Sequence, residues 1–266
     1  MMMARLEGFL IAMQFFTAIP VRRPMELDQK RIAYAVQSLP AAGLIIGGLL
    51  SVVLWLIQSF TPLSVLAAAF AIWLGSILLT GGLHLDGWMD ASDACFSYRD
   101  KEKRLEIMSD PRTGAFGVLS VLVLLSARFL FIYEVVSGLR FTDYFLIAMI
   151  PFVSRIGMGL LLVRVPAVKK EGLAYFFQKD LTGKTVAGTY ILFFLIVSGV
   201  MAASEPALAV YFWTFTGVQL LFSAAAERKI RKEFGGITGD LLGASAEGGE
   251  TVLWMTLWLL HYFVMA

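Results

Sequence analysis

A chain of 266 residues that is 58% hydrophobic and only 16% charged, with a mean hydropathy of +0.76, is too apolar for an ordinary soluble domain and points to the bilayer as its solvent. A net charge of +2 gives no reason to expect a nucleic-acid partner, and the single cysteine, Cys95, excludes an internal disulfide and a cysteine-rich metal centre. No stretch is long and polar enough to fold alone in water, so one integral membrane domain spanning residues 1–266 is expected.

The chain opens on Arg5–Ala18, which imitates a secretory leader. It lacks a small-x-small cleavage site, Gln14 and Pro20 interrupt it, and it falls short of the roughly 20 residues a crossing needs. A re-entrant or interfacial helix is the expectation. Seven apolar runs follow, at Leu39–Phe60, Pro62–Gly82, Ala115–Gly138, Phe141–Val163, Thr185–Ala203, Pro206–Ala226 and Ala244–Val264, with Pro, Gly or charge at each break. The predicted fold is therefore all-α: a polytopic transmembrane helix bundle of about seven spans plus the N-terminal helix.

Charge orients the bundle. The leader, the segment after the second run, the segment after the fourth and the stretch before the seventh hold 19 of the 22 basic residues. The other connections hold only Arg140, while Arg128 and Arg155 lie inside runs. By the positive-inside rule the four basic segments face the cytosol, which predicts a multi-pass protein of the bacterial cytoplasmic membrane with its N-terminus inside.

Two acidic clusters sit on that side. In Gly81–Gly117, Asp86, Asp90 and Asp93 are spaced four and three apart and share one face of a helix. Stacked carboxylates repel unless a cation neutralises them, and hard oxygen donors without clustered His or Cys favour Mg²⁺ or Mn²⁺. Arg104 and Arg112 follow as candidate phosphate ligands, ahead of Gly114 and Gly117 at a helix start. His84 reads equally as a catalyst or as a structural histidine. The second cluster, Gly235–Glu250, places Asp240 and Glu247 seven apart on a helix with Glu250 three further on, amid Gly, Ala and Ser that allow close packing. Acidic residues entering a span are functional by default, and converging clusters of this kind can clamp two Mg²⁺ ions about 4 Å apart. The intramembrane Arg128 and Arg155 must meet a carboxylate or a ligand phosphate.

Together the clusters resemble the cobalamin synthase (adenosylcobinamide-GDP ribazoletransferase) family. The match is carried by Gly82-x-His84-x-Asp86-Gly87-x-x-Asp90-x-x-Asp93, by Arg104-Leu105-Glu106-Ile107-Met108-x-Asp110-x-Arg112-x-Gly114, and by Thr238-Gly239-Asp240-x-x-Gly243-Ala244-x-x-Glu247. Weaker echoes are Phe16-Thr17-x-Ile19-Pro20-Val21, Pro40-x-x-Gly43 and Arg155. Departures fall at Ala18, at Ala94 and at Pro111, where the family commonly has Arg, Gly and Ser.

The resemblance implies transfer of the adenosylcobinamide phosphate group from adenosylcobinamide-GDP to α-ribazole or its 5′-phosphate, giving adenosylcobalamin or its phosphate and GMP. Asp86, Asp90, Asp93, Asp240, Glu247 and Glu250 are then the expected Mg²⁺ ligands. His84, Asp86 and Asp90 are the candidates for catalysis, and Arg104, Arg112, Arg128 and Arg155 for phosphate binding. The sequence leaves homo-oligomer formation open. Two other readings compete: a CDP-alcohol phosphotransferase, whose Ala-Arg element is missing here, and a cation-coupled transporter, which would hold its carboxylates near mid-membrane.

Overall fold

The computed structural model describes residues 2–179 and 181–265. Among them the regular elements are helices: α1 (Met2–Phe16), α2 (Gln29–Gln37), α3 (Leu39–Phe60), α4 (Val65–Thr80), α5 (Leu83–Phe96), α6 (Lys101–Met108), α7 (Ala115–Ser137), α8 (Phe141–Arg164), α9 (Gly172–Gln178), α10 (Gly183–Ser204), α11 (Pro206–Glu233) and α12 (Gly239–Phe263). The fold is the all-helical membrane bundle expected.

Five of these helices, α3, α7, α8, α10 and α11, are long and apolar enough to cross a bilayer. The difference from about seven arises at two places. The run expected over Pro62–Gly82 yields the 16-residue α4, which breaks at Gly81 and Gly82 and turns through 86° into α5; the pair makes a sixth crossing only if it is taken as one bent span. Both glycines have positive φ, 65° and 74°, the left-handed region that side chains with a Cβ avoid. The run expected over Ala244–Val264 is the later part of α12, which starts five residues earlier, at Gly239, where the Thr238 hydroxyl accepts from Leu241 N at 3.2 Å. Glu247 is thus two turns inside the helix.

Helix α8 is the central post, buried along most of its length. It meets α3 where Gly43 and Gly47, spaced four apart, lie directly on the backbone of Pro151 and Ala148. A side chain at either glycine would collide with a carbonyl, so the pair sets the approach of the two helices. Helix α1 is too short to span; its Ile11, Ala12 and Phe16 are buried against the bundle, and Ala18 N donates to Leu79 O at the end of α4 (2.8 Å).

Contacts between connections define the two poles. At one, His261 near the end of α12 stands 2.9 Å from Asp143 at the start of α8. At the other, Val168 N donates to Ile237 O (3.1 Å) and Ile237 N to Pro166 O (2.9 Å), while Arg104 pairs with Glu233. The leader, α5–α6, the loop after α8 and the end of α11 therefore meet at one pole, and these hold the four basic segments.

Candidate active site

Helix α5 crosses the first two turns of α12 at van der Waals distance. Gly87 lies on the backbone of Asp240, and Gly243 lies on the Cα and ring edge of His84. A Cβ at Gly87 would sit 2.6 Å from Asp240 O, so glycine is what lets the helices touch here. This crossing joins the two acidic clusters: Asp86, Asp93 and Asp240 all exert their charge on Asp90. Asp86 and Asp240 also face a common cavity of about 480 Å³. Its walls come from Phe16 of α1, His84 of α5, Met108 and Ser109 at the end of α6, and Lys169 with Glu171 in the loop before α9.

The remaining acidic residues have protein partners. Asp93 accepts from Gly114 N (2.7 Å) through one carboxylate oxygen and from Gly117 N (2.8 Å) through the other, so the amides that open α7 hold this side chain rather than a free anion. A Cβ at either glycine would run into the carboxylate. Glu247 is 3% exposed and pairs with the 1% exposed Arg128 of α7 (2.6 Å), whose guanidinium also donates to Glu247 O and to the Thr251 hydroxyl, both at 2.8 Å. Glu250 pairs with Arg155 of α8 at 2.7 Å, and this pair too is almost fully buried. The two intramembrane arginines thus clip α12 to α7 and α8. Removing one member of such a pair leaves an uncompensated buried charge and costs about 3–5 kcal/mol.

His84 adjoins the second pair. It is 2% exposed, its Nδ1 is 3.3 Å from Arg155 Nη2, and its Nε2 is buried with no partner. An unsatisfied buried donor or acceptor costs about 1–3 kcal/mol, so such an atom asks for a reason. The Nε of Arg155 is in the same state.

Arg104 and Arg112 lie outside the cavity wall. Arg104 is held by Glu233 and by the Arg99 carbonyl (2.8 Å) and stacks on Phe234. Arg112 is 87% exposed and pairs with Asp110, whose carboxyl the guanidinium's hydrogen bonds hold down at about 2. The cation that does line the cavity is Lys169, with the Thr238 hydroxyl beside it, while the Ser109 hydroxyl donates back to Leu105 O (2.9 Å). Sequence reasoning counted Lys169 only as part of a basic loop. The bridge between Ala167 and Ile237 that carries this loop to α12 has no local sequence signature.

A sequence model of the family described as cobalamin-5-phosphate synthase matches residues 8–258. A protein of Geobacillus sp. (strain WCH70) is 41% identical over 270 residues, covering 99% of this chain and 100% of its own length. One of Geobacillus thermodenitrificans (strain NG80-2) is 42% identical over 268 residues, covering 97% and 98%. One of Clostridioides difficile (strain 630) is 31% identical over 264 residues, covering 97% and 99%. Each bears the name adenosylcobinamide-GDP ribazoletransferase. The chain belongs to the cobalamin-5-phosphate synthase family. No solved structure matches it. The family match takes in both acidic clusters and every residue of the cavity wall.

Proposed function

We propose that this protein transfers the adenosylcobinamide phosphate group from adenosylcobinamide-GDP to α-ribazole or its 5′-phosphate, releasing GMP. The observation that carries this reading is that Asp86 of the first cluster and Asp240 of the second face one cavity, in a chain whose relatives are named for this transfer along their whole length. A ribazole hydroxyl oxygen bonds to the phosphorus nearer the corrin, and the bond from that phosphorus to the bridging oxygen breaks, so that oxygen leaves with GMP. Lys169 and the Thr238 hydroxyl supply donors for phosphate oxygens, and a cavity carboxylate takes the ribazole hydroxyl proton.

Asp86, Asp90 and Asp240 are the acidic residues of the two clusters without a basic partner, and an all-oxygen donor set of this kind fits Mg²⁺. Among the described residues no three acidic, histidine or cysteine groups stand close enough to hold one ion as placed, so binding would draw these side chains together. Mg²⁺ held there would neutralise the diphosphate and stabilise the leaving GMP. Asp93, Glu247 and Glu250 belong to the frame around that site in this proposal, since each already has a protein partner.

The basic pole faces the cytosol, where nucleotide-activated substrates are made. Single cysteines at Lys101 and Lys170 in a Cys95→Ala background should resist an impermeant thiol reagent in intact cells and react after lysis. Ready labelling of both in intact cells would reverse the orientation.

The assay is GMP release by purified protein in lipid nanodiscs. GMP and a cobalamin product should appear in equal amounts, and only when adenosylcobinamide-GDP, a ribazole acceptor and Mg²⁺ are all present. Release of CMP from a CDP-activated alcohol would contradict the assignment.

A further inference from the structure

The unpartnered Nε2 of His84 and its neighbour Arg155 go beyond the reaction just described. A guanidinium has five N–H donors and no acceptor. The 3.3 Å approach of Arg155 Nη2 to His84 Nδ1 is therefore a hydrogen bond only if Nδ1 carries no proton and accepts. The ring proton then resides on Nε2, an atom covered without a partner in a residue that lines the cavity shared with Asp86 and Asp240. Arg155 cannot swing away cheaply, because Glu250 grips its Nη1 at 2.7 Å in the bundle interior. Phe16 lies beside the ring, 6.5 Å away centroid to centroid and tilted by 33°.

We infer that His84 serves the substrate as an N–H donor to a phosphate oxygen, its Nε2 being uncovered as substrate enters, and not as the base, and that Arg155 and Glu250 are positioning residues that set its tautomer. This rests on the proposed phosphoryl transfer for the identity of the ligand but not for the state of the ring. A base needs a free lone pair at the proton it takes. The Nδ1 lone pair is engaged by Arg155, and a protonated Nε2 has none to offer. An Nε2–H donor aimed at a phosphate oxygen strengthens as charge accumulates in the transition state. The chain Glu250–Arg155–His84 also links α12, α8 and α5, so the donor is held by three helices rather than by a loop.

The protein has two histidines, which makes the ring directly observable. Protein labelled with ¹⁵N-histidine, in nanodiscs and without substrate, is compared with His84→Gln so that the difference spectrum belongs to His84. The expected spectrum has one protonated nitrogen, Nε2, and one bare nitrogen, Nδ1. In the double variant Arg155→Met with Glu250→Gln, which leaves no buried carboxylate unpaired, the tautomers should mix; a merely structural Arg155 would leave them unchanged. A proton on Nδ1 in the wild-type protein overturns the inference whatever the reaction is.

Kinetics supply the second arm. His84→Gln places an amide N–H₂ near the position of Nε2 and should keep GMP release within about 10-fold of wild type, whereas His84→Met should lose about 100-fold or more. Equal loss in both variants overturns the donor role. If the wild-type protein releases no GMP from adenosylcobinamide-GDP, the reaction falls, and the ring spectrum alone decides the inference.

Discussion

Helix α12 carries two kinds of carboxylate within eleven residues. Asp240, in its first turn, has no basic partner and faces a cavity; Glu247 and Glu250, two to three turns further in, are locked to Arg128 and Arg155. The residue types are nearly the same, but the surroundings differ. At the pole Asp240 is partly exposed on the cavity wall, and the proposed function assigns it to Mg²⁺. In the interior an unpaired carboxylate would be prohibitive, so each one has drawn an arginine from a neighbouring span. On α12 the charge near the pole is left unpaired, and the charge further in is tied to neighbouring helices.

The largest expected effect breaks the scaffold side of that contrast. Arg128→Met leaves Glu247 buried and unpaired and should lower stability by about 3–5 kcal/mol, read as thermal unfolding in nanodiscs. Adding Glu247→Gln to it should recover much of the loss. If Arg128→Met were mild while Glu247→Gln alone abolished turnover in a stable protein, Glu247 would belong with Asp240.

On the chemical side, Asp86→Asn should cut turnover by about 100- to 1,000-fold while the melting temperature stays close to wild type. A parallel fall in both would move Asp86 to the scaffold. Asp93→Asn should do the opposite: an amide cannot accept equally from Gly114 N and Gly117 N with both of its ends, and losing a charged hydrogen bond costs about 1.5–3 kcal/mol. Turnover per folded molecule should remain. The smallest effect belongs to the solvated loop. Asp100→Asn still caps α6, whose Lys103 N it holds at 2.9 Å, and Glu102→Gln changes only an exposed side chain, so neither should alter melting or turnover.

Much of this was legible in the sequence, and the parts that were not share a cause. Apolar runs and alternating basic loops predicted the bundle and brought both acidic clusters to one pole, because bilayer thickness and charge asymmetry are written locally along the chain. The spacing of Asp86, Asp90 and Asp93 read correctly as one helix, and on that helix Gly87 lets the Asp240 backbone approach closely. Partner choice was not readable. Arg128 and Glu247 are 119 residues apart, Arg155 and Glu250 95, and nothing local says which carboxylate an intramembrane arginine will find. The seat expected for phosphate at Gly114 and Gly117 is taken by Asp93 for the same reason. The glycine pair Gly81-Gly82 serves a sharp turn that hydropathy alone reads as a span continuing to Gly82.

Asp86 and Asp240, from clusters far apart in the chain, are proposed to act as one site. Residual GMP release by Asp86→Asn, Asp240→Asn and the double variant, measured at saturating Mg²⁺ in protein with an unchanged melting temperature, tests it most directly. Groups that act as a unit are strongly non-additive, so the double variant should be no slower than the slower single one. Losses that multiply, with each substitution contributing its full factor independently, would contradict the account.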